Sequence, residues 1–210
     1  MKYILSTIAA VIILHSSLLA QMKKIEDKQA FEQKLEEATK TVKSIESGFT
    51  QIKHLDVFDD DITLKGKFYY RHSNRICLDY TGSLDYIIVI NNDKLKIVDN
   101  GKKSIVNLSA NKTMKEMQGM LAACMSGDIS QLSSEYKLEY FEDTKNFKVV
   151  VTPKSKAVQE YIKDFHIYFN KRDMSVDKLR ISENTTDYTD YIFSNKKFNS
   201  LQNDEKFSVN

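Results

Sequence analysis

The side chains best suited to covalent chemistry in this chain are its histidines and cysteines. Beyond residue 20 the histidines are His54, His72 and His166, and no two of them have the spacing of a metal-binding motif. The sequence has neither a Gly-x-Ser-x-Gly nucleophile motif nor a phosphate-binding P-loop. Because no nucleophile, base and orienting group can be assigned together, we expect a protein that is not an enzyme and uses no cofactor.

A run of three carboxylates, Asp59, Asp60 and Asp61, is the remaining candidate for a cation site. Calcium-binding loops place their ligands at alternate positions and often include a glycine between them. The three consecutive aspartates lack that spacing. The run therefore predicts a solvated turn between two strands.

Composition and charge favour one domain without a nucleic-acid partner. The chain has 210 residues, a formal net charge of +2 and a single proline, Pro153. No Pro-, Gly- or Ser-rich linker divides it. Lysines alternate with carboxylates along the sequence and do not form a basic cluster, which argues against nucleic acid.

The first twenty residues have the pattern of a signal peptide. Lys2 gives a positive start, residues 4–14 are mostly apolar, and a cleavage region ends at Ala20. The apolar run is shorter than the ~20 residues that a membrane-spanning helix needs. We therefore predict a cleaved leader over 1–20 and one exported domain over 21–210, with an uncleaved anchor as the alternative.

The segment from residue 64 to residue 99 predicts four consecutive antiparallel strands. Its first strand places Phe68 and Tyr70 on one face and Lys67 and Arg71 on the other. The chain shows about ten or eleven such strands, with an offset at Val176 that predicts a bulge. The pattern indicates a mainly β fold with an α lid: a strongly curved antiparallel sheet, or half-open β-barrel, whose apolar cavity is plugged by helices.

Two amphipathic helices are predicted to cover the apolar face of the sheet. The first spans residues 27–46 and has an apolar stripe at helical spacing: Phe31, Leu35, Ala38, Val42 and Ile45. The second lies mid-chain and is rich in methionine, a flexible side chain that fits many apolar shapes. We predict that it is a lid able to leave the sheet, with ordinary core as the alternative; its lid residues are Met114, Met117, Met120, Leu121 and Met125.

Cys77 and Cys124 are the two cysteines. Export permits a disulfide, but the pair is far apart in sequence and Cys77 falls on the polar face of its strand. Two free thiols are the favoured interpretation, and a disulfide is the alternative.

Five short motifs, in order and spacing, resemble the periplasmic outer-membrane lipoprotein carrier proteins (LolA-type) over about residues 27–207. They are Phe49-Thr-Gln51, Gly66-x-Phe68-x-Tyr70, Arg75-Ile-Cys-Leu-Asp-Tyr80, Asn91-Asn-Asp-Lys-Leu95 and Val151-Thr-Pro-Lys154. The resemblance implies a half-open barrel with a helical lid. It also implies a carrier that takes acylated lipoproteins from an inner-membrane lipoprotein-releasing transporter and passes them towards the outer membrane, where the acceptor is unknown. We expect a monomer.

The resemblance also implies an arginine that holds the lid closed. Counting from Gly66, His72 stands where the family has this arginine, and Arg71 lies one position earlier, on the other face. His72 or Arg71 is therefore the candidate lid lock, the latter only if a bulge turns its side chain.

We predict that an apolar cavity for acyl chains is lined by Leu64, Phe68, Tyr70, Ile76, Leu78, Ile88, Ile97, Phe165, Ile167 and Phe169. A closed core without room for a ligand is one alternative. An envelope sensor or regulatory module that binds lipid without delivering it is another, and a glycolipid carrier on the same fold is a third.

Overall fold

The computed structural model describes residues 22–72, 74–82, 84–110 and 112–210, except for the side chains of residues 112 and 113. The predicted leader, residues 1–20, lies outside them. Within the described ranges no helix has the length and apolar character needed to cross a membrane.

The described chain folds into one antiparallel sheet of twelve strands. Along the chain they are β1 Lys23–Lys24, β2 Ser44–His54, β3 Ile62–Arg71, β4 Arg75–Thr81, β5 Tyr86–Asn91, β6 Lys94–Asp99, β7 Lys102–Asn107, β8 Tyr136–Glu142, β9 Asn146–Pro153, β10 Asp164–Asn170, β11 Val176–Ser182 and β12 Tyr188–Phe198. The order across the sheet is β1-β8-β9-β10-β11-β12-β2-β3-β4-β5-β6-β7, so β1 and β7 are its open edges. The predicted curved sheet is confirmed. The sequence pattern lacks only β1, whose two residues are too few to show alternation.

Strand pairing carries the apolar alternation from one strand to the next. Phe68 pairs with Leu78, Leu78 with Ile88, and Ile88 with Ile97. Directly paired residues of antiparallel strands lie on the same face. One face is thus continuously apolar and forms the concave side, while the alternate residues form the convex side. The predicted bulge near Val176 is confirmed, because the register of β10 and β11 shifts there.

The first helix, α1 (Lys28–Thr39), is shorter than predicted. Its N-terminus is capped by the Asp27 carboxylate, which accepts a hydrogen bond from the Ala30 N–H at 3.0 Å. Phe31 and Leu35 are buried, but Ile45 belongs to β2 and pairs with Tyr70. The prediction of a helix up to residue 46 was wrong. The segment around Ile45 also alternates, and pairing with β3 and β12 on both sides favours the strand.

The second helix, α2 (Lys112–Ser126), lies over the concave face, where Leu121 and Met125 meet β3, β4 and β11. It ends at Gly127, whose φ of +77° favours glycine. A Cβ at Gly127 would also collide with Thr39 at the end of α1. The remaining helical segments are α3 Lys156–Gln159 and the 3-10 turns Leu108–Ala110, Ile129–Ser133 and Glu205–Phe207.

The C-terminal residues 199–210, which we call the strap, cross the convex face of β3–β5. Phe207 is 1 % exposed and packs with Cys77 and Val89 in a small apolar cluster separate from the main core. The Asn91 side-chain amide donates to the Phe207 carbonyl at 2.9 Å. The sequence pattern did not predict this second cluster.

Candidate binding cavity beneath helix α2

The ten predicted wall residues all lie on the concave face. Phe68, Tyr70, Ile76, Phe165, Ile167 and Phe169 are buried, whereas Leu64, Leu78, Ile88 and Ile97 are half-buried. Strand pairing continues this face into residues that the predicted set does not contain, namely Val149, Val151, Leu179, Ile181, Tyr191 and Phe193. The period-two pattern of β9, β11 and β12 was the signal that could have found them.

The apolar side of α2 covers this wall. Met125 and Met120 are buried, and Met120 is fully so. Met117 and Leu121 are half-buried and pack on the main core, and Met114 is half-exposed. The predicted contact between the methionine-rich helix and the concave face is present.

Side-chain hydrogen bonds tie α2 to the rim of the sheet, and those described next were not predicted from the sequence. The Tyr136 hydroxyl donates to the Glu116 carbonyl at 3.1 Å, and the Gln118 side-chain amide donates to the Asn92 carbonyl. Burial raises the pKa of Tyr136 to about 12, so the phenol remains a donor at neutral pH. Both acceptors are main-chain carbonyls, which every residue has, so the residue type does not identify either acceptor from the sequence.

Two small cavities lie between α2 and the sheet. One of about 80 Å³ is enclosed by apolar side chains from β3, β4, β11, β12 and α2: Phe68, Ile76, Leu78, Leu121, Met125, Leu179, Ile181, Tyr191 and Phe193. The other, of about 30 Å³, lies towards the C-terminal ends of α1 and α2 and shares Phe68, Met125 and Phe193 with the first. Pockets that bind small ligands usually measure ~300–1,000 Å³. In this conformation the apolar space is therefore too small for an acyl chain, which would have to displace α2.

The buried hydroxyl of Ser47 is the unusual polar group in the smaller cavity. Ser47 is 2 % exposed, and its Oγ has no hydrogen-bond partner among the described residues. An unpaired buried hydroxyl destabilises the closed state.

The buried hydroxyl of Tyr80 on β4, in contrast, has a hydrogen-bond partner. It donates to the Gln51 side-chain oxygen at 2.5 Å, and burial raises the pKa of Tyr80.

The two lid-lock candidates lie on opposite sides of the sheet. The Arg71 guanidinium lies 2.7 Å from the Asp204 carboxylate and donates to the carbonyls of Leu201 and Asn203, so it binds the strap on the convex side. The structure thus corrects the expectation that Arg71 could reach the lid: β3 keeps its register with both neighbours up to Arg71, and no bulge turns the side chain. His72 faces an open groove of about 310 Å³ whose other wall is the small-residue side of α2. Within the described ranges its imidazole makes no hydrogen bond to the helix.

Cys77 and Cys124 are free thiols on opposite faces of the sheet, so the prediction of unpaired cysteines is confirmed. Cys77 is covered by the strap and Cys124 by the packing of α2. Burial raises the pKa of the Cys77 thiol to about 12, with a smaller contribution from Asp79, and burial also raises the pKa of Cys124. Both thiols are protonated at neutral pH.

A family model described as "Outer membrane lipoprotein carrier protein LolA" matches residues 40–210, which include every strand from β2 to β12. The chain belongs to this LolA family. Proteins of the family are carriers or binding proteins. Sequence comparison with curated proteins gives no significant match.

Solved structures show the same LolA-like fold at low sequence identity. A domain from Vibrio parahaemolyticus, described as an outer membrane lipoprotein-sorting protein domain, is 11% identical with a TM-score of 0.52, over 85% of this chain and 95% of that one. An uncharacterized conserved protein from Thermus thermophilus is 8% identical with a TM-score of 0.52, over 85% and 93%. The structure of MucB is 14% identical with a TM-score of 0.50, over 88% of this chain and 63% of MucB. At these identities the similarity shows the fold alone.

Proposed function

We propose that this LolA family protein is a periplasmic carrier that binds the acyl chains of lipoproteins between α2 and the concave face, and moves them from the inner to the outer membrane. The observation that carries the proposal is the small apolar space under α2, lined by Leu121 and Met125 of the helix on one side and a continuous apolar sheet on the other. Binding and release need no covalent step. The predicted leader over residues 1–20 would provide the export that this role requires.

The energetics of lid displacement make reversible binding feasible. Each buried methylene contributes roughly 0.8 kcal/mol, so an acyl chain of a dozen methylenes would gain roughly 10 kcal/mol on entering the cavity. Expelling Met117, Leu121 and Met125 from the wall exposes apolar surface and offsets part of that gain. The affinity for an acyl chain is then the difference between the free energy gained by burying the chain and the free energy lost by exposing the lid side chains. A carrier needs such a difference, because it must also release its cargo.

The partners follow from this role. The cargo would be acylated lipoproteins, the donor an inner-membrane lipoprotein-releasing transporter, and the acceptor a component at the outer membrane whose identity is unknown. We propose that the protein works as a monomer. In place of the family's arginine, we propose His72 as the residue that contacts the lid, because it faces α2 across the groove.

The test is native mass spectrometry of residues 21–210 mixed with a triacylated lipopeptide or with its deacylated counterpart. We expect a complex with the acylated form alone. Met117→Asp should weaken this complex, because it places a carboxylate on the side of α2 that packs against the apolar core, whereas Lys115→Asp, on an exposed position of α2, is the matched control. Binding of neither peptide, or equal binding by a folded Met117→Asp variant, would contradict the cavity assignment.

A second candidate is an envelope sensor that binds lipid on this fold without delivering it. It is favoured by the position of Arg71, which binds the strap and leaves the lid without the family's arginine. Delivery separates the two functions: a carrier releases lipoprotein from inner-membrane vesicles into solution, whereas a sensor only binds it. A glycolipid carrier would prefer an acylated sugar to the triacylated lipopeptide in the same mass spectrometry experiment.

A further inference from the structure

One row of side chains on the convex surface consists of four lysines and five uncharged residues. Cross-strand pairing brings together one residue from each of nine adjacent strands, from β1 through β8–β12 to β2–β4. We call it the lysine row; in spatial order it contains Lys24, Phe141, Lys148, Tyr168, Lys178, Ile192, Thr50, Lys65 and Thr81. No carboxylate is among these nine residues. At ~4.8 Å between strands, the row extends over roughly 38 Å of the surface.

The centre of the row has cations beside aromatic rings. The Lys148 ammonium lies 5.6 Å from the Tyr168 ring centroid and 5.8 Å from that of Phe141, and the Lys178 ammonium lies 4.7 Å from Tyr168. Tyr168 and Phe141 are half-buried, and Ile192 is 38 % exposed. Aromatic rings and positively charged ammonium groups therefore lie side by side along the row.

Much of this positive charge has no carboxylate partner. Lys24, Lys65 and Lys148 form no ion pair within 4.0 Å in the described part of the chain, and Lys178 has Asp190 at 3.5 Å. Burial lowers the pKa of Lys148, Asp164 opposes this shift, and the neighbouring cations Lys178 and Arg180 add to it. Asp164 and Asp190 therefore offset part of the positive charge of the row, whereas Lys24 and Lys65 have no ion-pair partner in the described part of the chain.

The carboxylates in the adjacent row are occupied by other cations. Asp190 accepts two hydrogen bonds from Arg180, at 2.6 and 2.8 Å, and Glu139 lies 3.1 Å from the ammonium of Lys137. Asp190 thus pairs more closely with Arg180 than with Lys178, which lies at 3.5 Å, and Glu139 pairs outside the lysine row. The convex face of β8–β11 is therefore complementary to a negatively charged partner with an apolar layer at its surface.

We propose that the lysine row docks this protein on a membrane surface rich in anionic phospholipid. Lysines near such a surface are attracted to phosphate groups, and aromatic side chains partition into the headgroup region beside them. A single-stranded nucleic acid would also accept stacking on aromatic rings, but Ile192 and the half-buried Phe141 favour a surface with apolar depth. The proposal does not depend on the acyl-chain cavity, which lies on the other face of the sheet.

The test is flotation of residues 21–210, which contain every described element, with vesicles of phosphatidylcholine alone or with 30 mol% phosphatidylglycerol. We expect binding to the anionic vesicles only, and its loss when NaCl is raised from 50 to 500 mM. The double variant Lys148→Gln/Lys178→Gln should partition about 30-fold more weakly, since each lysine contributes ~1 kcal/mol near an anionic surface. Tyr168→Ser should also bind more weakly than the wild type.

Matched controls separate the row from a general charge effect. Lys102→Gln/Lys103→Gln removes the same charge from the exposed edge strand β7, and Tyr161→Ser removes an exposed tyrosine outside the row. Both should retain wild-type partitioning, and all variants should bind the triacylated lipopeptide as before. Equal losses in row and control variants, no preference of the wild type for anionic vesicles, or binding to a dT20 oligonucleotide without binding to vesicles would overturn the proposal.

Discussion

Arg71, at the end of β3, and Asp204, in the C-terminal strap, form an ion pair with an Nε–Oδ1 distance of 2.7 Å on the convex side of the sheet. Arg75 binds the same carboxylate. Asp204 is half-exposed, and exposed ion pairs contribute only ~0–1 kcal/mol. The buried ring of Phe207 must therefore contribute most of the free energy that holds the strap on the sheet. The Arg71–Asp204 ion pair sets the position of the strap along the sheet.

We expect Phe207→Ala to lower the free energy of unfolding by about 3 kcal/mol, because it removes a buried ring and leaves a cavity over Cys77 and Val89. Urea denaturation measures the loss. In Phe198→Ala, which truncates a ring that is 37 % exposed, the loss should stay below about 1 kcal/mol. Equal losses in the two variants would show that the strap is not anchored at Phe207.

Tyr136→Phe should tighten the binding of acyl chains. It removes the hydrogen bond from the Tyr136 hydroxyl to the Glu116 carbonyl and so destabilises the closed lid by ~1 kcal/mol. If the open form is the minor form, its population and the apparent affinity should rise about fivefold. Displacement of a fluorescent fatty acid measures this change.

The control for the lid is Tyr161→Phe, which removes a hydroxyl from an exposed ring with no side-chain hydrogen bond among the described residues. It should bind as the wild type does. His72→Ala in the same assay tests the proposed lid lock: tighter binding supports a role in holding the lid, and unchanged affinity removes His72 from that role.

Ser47→Ala should stabilise the protein by ~1 kcal/mol, an unusual direction for a substitution in the interior. The buried Ser47 hydroxyl has no partner among the described residues, so removing it relieves a desolvation penalty. Thermal unfolding measures the effect, and Ser104→Ala on the exposed strand β7 should leave the midpoint unchanged. A lower midpoint for Ser47→Ala would mean that the hydroxyl is hydrogen-bonded in solution.

Alkylation of Cys77 should be slow until the fold is lost. With a pKa raised by burial from 9.0 to about 12, the folded thiol at pH 9 has about 500-fold less thiolate than an unperturbed cysteine. Because the folded pKa lies above the unfolded one, this group contributes stability that is fully present below pH 9 and is lost as the pH rises towards 12. Iodoacetamide labelling at pH 9, read by mass spectrometry with and without urea, measures the difference.

Phe207→Ala offers an internal control for that labelling experiment. Removing the ring should expose Cys77 to the reagent while leaving Cys124 under α2 protected. If both cysteines in the wild-type protein are labelled at the rate of a free thiol, the buried positions of Cys77 and Cys124 are contradicted.

The local alternation of residues predicted the concave wall well, because a strand with one buried face records its orientation in every second residue. Phe68, Leu78 and Ile88 are examples: each was assigned to the apolar face from its own strand, and pairing put them side by side. The end of α1 was not predictable in this way. Ile45 fits both a helical stripe and an alternating strand, and only its pairing with Tyr70 decides between them.

Features that depend on register between distant strands were invisible in the sequence. The lysine row is the clearest case, since Lys24, Lys148 and Lys178 lie in distant parts of the chain and share one row only through strand pairing. The same holds for Tyr136 and its bond to α2. Phe207 is one of three apolar residues in the strap, with Leu201 and Val209, and nothing in the sequence indicates that Cys77 and Val89 lie beneath it.

The sheet has two free edges, β1 and β7, and every residue of β7 is exposed. In a closed barrel, strand number and stagger fix the circumference and hence the enclosed space. A sheet with free edges can change its curvature without breaking a single ladder between strands. If the proposed carrier function is right, the capacity of the concave side would be set by whatever fills it, the side chains of α2 or a guest, and cargoes of unequal bulk could be held without any change in strand pairing.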